Sequence, residues 1–193
     1  EQAYPHSPAM ADLPLVLVTG VSGFVAGHVA LALLETKRYR VRGTVRDLGK
    51  AAAVGHLAAH PVLQEVELVE AELLSDAGWE AALEGCAFCM HCASPFPIGK
   101  VADGSLTKPA VEGTERVLRF AKKAGVSRVV VTSSVVAISS GRDPADTAER
   151  TFTEADVSNV DLCDEYAKSK TLAEQTAWKL SEELGLEVAT VNP

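Results

Sequence analysis

The chain has 193 residues, 47% of them hydrophobic and 23% charged, as expected of one folded domain with a sizeable core and not of a disordered chain. A formal net charge of −8 and a pI near 5.1 repel phosphate backbones and anionic lipid, which makes nucleic acid and membrane surfaces poor partners. No apolar run reaches the ~18 residues that a membrane span needs.

The first residues, Glu1 to Pro14, carry three prolines and little periodicity, and lack the basic and apolar regions of a signal peptide. Residues 1–12 are expected to be a disordered or extraneous tail, with Met10 a candidate natural first residue, and 13–193 one domain. Leu13 to Thr19 reads as the first strand and Val25 to Thr36 as a helix. Arg40 to Val45 is the second strand, and Gly49 to Ala59 a short helix. Val66 to Glu70 is the third strand, Asp76 to Leu83 a helix, and Ala87 to Ala93 the fourth strand. A long helix spans about Asp103 to Ala124, with Val111, Val117, Leu118 and Phe120 as core candidates and Gly125 as its stop. Arg128 to Ser133 is the fifth strand and Gly141 to about Asp161 a polar loop. A helix from about Cys163 to Leu184 stops at Gly185, and Glu187 to Val191 is the sixth strand. Such alternation predicts an α/β fold, a doubly wound parallel sheet of order 3-2-1-4-5-6 with helices on both faces.

Cys86, Cys89 and Cys92 have the spacing of a metal or iron–sulfur site. They fall on an apolar strand, where alternate residues face opposite ways and free cysteine is a common buried residue, so no metal is expected. Unpaired thiols suit a reducing compartment, and the cytoplasm is the expected location.

The turn Thr19-Gly20-Val21-Ser22-Gly23-Phe24-Val25-Ala26 joins the first strand to the first helix. Gly20 permits a tight turn, Gly23 lets backbone approach a pyrophosphate, and Ala26 allows close helix–strand packing. A helix N-terminus there offers unpaired N–H groups to phosphates. Gly20, Ser22, Gly23, Phe24 and Val25 are therefore the candidate phosphate contacts. The second strand ends Thr44-Val45-Arg46-Asp47, with Lys50 close behind. Arg46 favours a 2′-phosphate and hence NADP(H), while Asp47 could instead accept from a free ribose hydroxyl of NAD(H).

Tyr166 and Lys170, four residues apart on a helix, share a face. A phenol ordinarily titrates near 10, and a neighbouring ammonium favours its phenolate, which prepares Tyr166 to exchange a proton with a carbonyl or alcohol oxygen. The fifth strand ends Thr132-Ser133-Ser134, at the sheet edge where ligands bind. Ser134, with Ser133 as the second choice, is the candidate to hold the substrate oxygen.

Taken together, Thr19-Gly20-x-x-Gly23-Phe24, Val111-Glu112-Gly113-Thr114, Thr132-Ser133-Ser134, Tyr166-x-x-x-Lys170 and Val191-Asn192-Pro193 resemble the extended short-chain dehydrogenase/reductase family over about Leu13 to Pro193. Gly23-Phe24-Val25-Ala26, Thr44-Val45-Arg46-Asp47, His91-Cys92-Ala93-Ser94-Pro95-Phe96 and Ser169-Lys170-x-x-Ala173-Glu174 are most similar to the dihydroflavonol reductase, cinnamoyl-CoA reductase and aldehyde reductase branch. The resemblance implies NADPH, with Arg46 and Lys50 near its 2′-phosphate and Glu72 and Leu73 near its adenine. It implies Ala93 and Ser94 in the dinucleotide cleft, Thr132, Tyr166 and Lys170 against the cofactor, and Pro193 near the nicotinamide. A small carbonyl substrate and a homodimer built on the two long helices also follow from it. Three departures stand out. Glu72-Leu73 replaces a common aspartate. The tryptophan- and tyrosine-bearing signature of cinnamoyl-CoA reductases is missing around Cys163 to Tyr166. The family's smaller C-terminal substrate lobe, beyond Asn192-Pro193, is absent from this chain. Two other readings compete with carbonyl reduction: an NAD-dependent nucleotide-sugar epimerase or dehydratase, and a non-enzymatic NADP(H) sensor.

Overall fold

In a computed structural model the described residues are 10–51, 55–95, 104–143 and 150–193. Six strands form one parallel sheet: β1 (Leu15–Val18), β2 (Arg40–Val45), β3 (Glu67–Glu70), β4 (Cys86–His91), β5 (Arg128–Thr132) and β6 (Glu187–Val191). Their spatial order is β3-β2-β1-β4-β5-β6, the expected doubly wound arrangement. The register runs Val16 beside Val41 and Phe88, Cys89 beside Val129, and Val130 beside Ala189.

The central strand β1 is buried along its whole length, and Val16, Leu17 and Val18 are fully shielded, as a parallel strand covered on both faces must be. Its neighbours split between two cores. Leu15 and Leu17 join Trp79, Leu83, Val117, Leu118, Val129 and Leu180 on one face, while Val18 joins Val21, Ala30, Leu34, Val41 and Leu63 on the other. Each of these buried valine and leucine side chains contributes roughly 1.5–3 kcal/mol of transfer free energy.

The helices are α1 (Phe24–Glu35), α2 (Leu48–Ala51), α3 (Gly55–Ala59), α4 (Trp79–Leu83), α5 (Thr107–Lys123), α6 (Val136–Ser139) and α7 (Glu165–Leu184). Helices α5 and α7 pack side by side on the face shared with β4, β5 and β6. Both expected glycine stops close with the same pair of bonds. Gly125 N–H donates to Lys122 and Val126 N–H to Ala121, and Gly185 N–H donates to Glu182 and Leu186 N–H to Ser181.

Several boundaries differ from the sequence reading. The expected helix Gly49 to Ala59 is two pieces, α2 and α3, with 52–54 outside the described residues. Asp47 explains the early start of α2, since its carboxylate accepts from Lys50 N–H at 3.1 Å. Pro61–Glu65 forms an unforeseen 3-10 turn, and α6 occupies a stretch given no element. Helix α7 begins at Glu165 because Asp164 caps it, accepting from Ala167 N–H at 2.8 Å. Of the expected tail, 1–9 lies outside the described residues and Met10–Asp12 forms a 3-10 turn, followed by the buried Leu13. Asp103 and the loop residues 144–149 also lie outside the described residues. No helix among the described residues is long and apolar enough to cross a membrane.

Candidate functional site

The turn after β1 is held by its neighbours rather than by its own side chains. Gly20 sits at φ +67°, where an L side chain is strained, and an added Cβ would meet Ala93 at 3.1 Å. Its N–H donates to Thr44 Oγ1 at 2.9 Å, and Val21 N–H donates to the Thr44 carbonyl at 3.0 Å. Gly23 is the N-cap of α1 in extended conformation and offers no side-chain cap. The first-turn N–H groups of α1 thus have no side-chain acceptor at the cap. Ser22 and Gly23 are exposed, Phe24 is 80% exposed, and its ring meets His28 edge-on at 4.7 Å.

At the end of β2, Arg46 is exposed and takes no ion pair among the described residues. Asp47 is committed elsewhere: it caps α2 and pairs with Lys50 Nζ at 3.0 Å, and these bonds, the side-chain one first, hold its carboxyl below the usual range. The Lys50 ammonium therefore lies on Asp47, 87% exposed. Glu72 is exposed and its carbonyl accepts from Trp79 Nε1 at 3.0 Å. Leu73 packs against the core instead, where a Cβ on Gly113 of α5 would come within 2.9 Å of it. That close approach accounts for the glycine of Val111-Glu112-Gly113-Thr114.

A buried polar chain ties the turn to the sheet. Thr19 Oγ1 accepts from Cys92 N–H at 3.0 Å and Ala93 N–H at 2.9 Å, and lies 2.9 Å from His91 Nδ1. With both lone pairs taken, the hydroxyl proton goes to Nδ1, so the His91 proton sits on Nε2, 3.4 Å from Thr114 Oγ1. Burial, aided by the Lys170 charge, pushes the imidazole down to about 3, and His91 is neutral at ordinary pH.

A small cleft opens at the carboxyl edge of β4 and β5, lined among others by His91, Ala93, Ser94, Thr132, Ser133 and Lys170. Through Ala93 it adjoins the point between β1 and β4 where strand order reverses, the crevice in which doubly wound folds bind ligands. Lys170 is only 8% exposed and donates to the Thr132 carbonyl at 3.2 Å. Desolvation lowers its pKa, and no carboxylate pairs with it among the described residues. Ser133 Oγ is buried with no partner. Ser134 Oγ lies 3.4 Å from the Pro193 carbonyl, which also accepts from Val135 N–H at 2.9 Å. Tyr166 is half-buried in the first turn of α7, one helical turn before Lys170.

The structure thus gathers Ala93, Ser94, Thr132 and Lys170 on one cleft, and Ser134 with Pro193 beside it. The turn Gly20 to Val25 reaches this group through Ala93. Arg46 and Lys50 lie at the end of the neighbouring strand β2, and Glu72 and Leu73 follow β3. Cys86 and Cys89 are buried in one core, and Cys92 packs against the other. All are free thiols pushed up by burial, and no group of three or more metal-ligating side chains occurs among the described residues.

Residues the sequence reading gave no role include Thr44, His91, Thr114 and Glu165. Glu165 Oε1 accepts from Leu106 N–H, Thr107 N–H and Thr107 Oγ1 at 2.9–3.0 Å, capping α5 from α7. Burial pushes that carboxyl up, yet the bonds from Thr107, Gly104 and Leu106 together hold it down at about 2. Thr44, His91 and Thr114 stood inside quoted motifs and Glu165 beside one, but a lone threonine or histidine carries no local signal for bonds to partners so far away in the chain.

Comparison with known proteins places these features. Residues 16–193 match the NAD dependent epimerase/dehydratase family. The chain is 39% identical over 188 residues to tetraketide alpha-pyrone reductase 1 of Arabidopsis thaliana, covering 92% of this chain and 56% of that protein. It is 36% identical to cinnamoyl-CoA reductase CAD2 of Medicago truncatula, covering 93% and 56%. Among solved structures it resembles Gre2 of Candida albicans in complex with NADPH, with a TM-score of 0.77 and 29% identity over 93% of this chain and 57% of that one. Vestitone reductase from alfalfa gives a TM-score of 0.71 at 29% identity, over 92% of this chain and 56% of that one. The chain therefore spans a little over half the length of these relatives.

Proposed function

The chain belongs to the NAD dependent epimerase/dehydratase family, of the extended short-chain type, and on that premise we propose that it reduces a ketone or aldehyde with NADPH. The observation that carries the reading is Lys170: an ammonium almost wholly buried, in no ion pair among the described residues, in the cleft at the carboxyl edge of β4 and β5 and one turn from a tyrosine. Burying a charge in this way costs stability and marks a functional site.

The residues present suit a phosphorylated dinucleotide. The α1 N-terminus has no side-chain cap, Gly20 and Gly23 let the turn close tightly on Ala93 and on the Gly20 carbonyl, and Arg46 is an exposed guanidinium with no ion pair among the described residues. Gly20, Ser22, Gly23, Phe24 and Val25 would hold the pyrophosphate, Arg46 the 2′-phosphate with Lys50 second, and Glu72 and Leu73 the adenine side. Ala93, Ser94, Thr132 and Pro193 would line the path to the nicotinamide. Because Asp47 is spent on α2 and Lys50, the arginine and not the acid is left to read the ribose, which favours NADPH over NADH.

When bound, NADPH supplies the hydride. Tyr166 donates its phenolic proton to the substrate oxygen, and the Lys170 ammonium favours the phenolate that results. With the cofactor bound, Lys170 would also hydrogen-bond the ribose, and Ser134 would donate to the carbonyl oxygen and share its developing charge. Tyr166→Phe in the full-length protein, assayed against a panel of aldehydes and ketones, is expected to lose roughly 100- to 10,000-fold in kcat with NADPH affinity kept. Full turnover by that variant overturns the assignment.

A further inference from the structure

Glu174 and Asn192 are motif residues that neither cofactor binding nor the proposed proton transfer uses. Asn192 Nδ2 lies 3.1 Å from the Ser134 carbonyl and 2.7 Å from Glu174 Oε2, while Thr190 Oγ1 donates to Asn192 Oδ1 at 3.5 Å. A carbonyl and a carboxylate only accept, so both Nδ2 protons are spoken for and the amide has one orientation. The chain around Ser134 is tied to the same strand end by backbone. Ser133 N–H donates to the Val191 carbonyl at 2.8 Å and Val135 N–H to the Pro193 carbonyl at 2.9 Å. Glu174 stands one turn beyond Lys170 on α7, and its second oxygen lies 3.5 Å from Trp178 Nε1.

We propose that Glu174, acting through Asn192, is a positioning residue that holds the Ser134 segment at a set distance from the Tyr166–Lys170 helix. Ser134 follows β5 and Lys170 lies on α7, and among the described residues no hydrogen bond joins their side chains. Besides the Lys170 bond to Thr132 and the packing of α6 on α7, the charge-assisted link Glu174–Asn192–Ser134 ties the serine's own backbone to α7. Catalytic groups placed on separate elements lose rate steeply with small displacements, so a link of this kind acts on turnover more than on cofactor affinity. The inference rests on the reading of Ser134 as the group that holds the substrate oxygen.

The test is a double-mutant cycle in the full-length protein, with NADPH affinity measured alongside kcat. Glu174→Ala is expected to lower kcat roughly 10-fold with NADPH affinity within about 2-fold, and Glu174→Gln, which keeps an acceptor oxygen, to recover most of the loss. In a Ser134→Ala background, Glu174→Ala is expected to add less than about 2-fold, because its effect runs through the serine. Additive losses overturn the proposal. Full activity in Ser134→Ala alone sinks the reading of Ser134 but not the clamp, which has its own measurement. Amide hydrogen exchange at Ser133 and Val135 is expected to quicken about 10-fold in Glu174→Ala while Val129 and Val131 keep their protection. Unchanged exchange at Ser133 and Val135 overturns the clamp.

Discussion

At the turn after β1 the groups offered to a ligand are backbone and exposed, whereas at the end of β5 they are buried side chains. The first region draws on β1, α1 and β2, a stretch of about 30 residues, and its shape follows from glycine, a missing cap and the Thr44 brace. The second joins β4, β5, α7 and β6, and its bonds reach across 18 residues for Glu174 to Asn192, 38 for Lys170 to Thr132 and 59 for Ser134 to Pro193. A turn of the first kind tolerates much side-chain change and few backbone changes. A cluster of the second kind carries the desolvation cost of the Lys170 ammonium.

Lys170→Met separates the two regions most sharply. With the buried ammonium gone, turnover is expected to fall at least about 1,000-fold while Tm rises by a few degrees, since an apolar side chain suits that site better. A falling Tm in thermal melts would make Lys170 a structural residue and erase the contrast.

Acid should weaken the buried region through His91. The unfolded chain takes up that proton near pH 6.5 and the folded chain only near pH 3. Between those values the unfolded state binds more protons, so stability falls as pH falls, by roughly 4–5 kcal/mol at the lower limit. Urea titrations of wild type and His91→Gln are expected to diverge in wild-type slope across that window, with the variant flatter. Parallel curves would mean that His91 is not the neutral link between Thr19 and Thr114.

At the turn, Gly20→Val meets both the strained φ and the Ala93 contact. NADPH affinity should drop about 10- to 100-fold with a fold loss of roughly 1–2 kcal/mol, read by fluorescence titration and denaturation. The smallest effect is expected for Arg46→Ala. It removes one exposed guanidinium, so NADPH binding weakens about 10-fold and NADH binding hardly at all. Equal losses for the two would return Asp47 to contention.

Strand order and the glycine turn were legible because they depend on local pattern. Apolar runs of four to six residues, separated by amphipathic stretches and glycine stops at Gly125 and Gly185, leave few topologies open. Helix starts were less legible. Glu165 and Leu48 begin helices because Asp164 and Asp47 cap them, and a capping aspartate looks like any other polar residue until its partner N–H is known. The same limit hid the second role of Asp47, whose pairing with Lys50 set aside its competing claim on a ribose.

By itself the amino-acid order determined the doubly wound sheet, the glycine turn and the helical spacing of Tyr166 and Lys170, because periodicity, glycine and four-residue spacing act over short stretches of chain. Only the tertiary structure decided that Lys170 is buried against Thr132, that the His91 proton rests on Nε2, and that Asn192 spans Ser134 and Glu174. Those outcomes depend on burial and on hydrogen-bond partners far apart in the chain, and neither quantity exists until the sheet has closed over them.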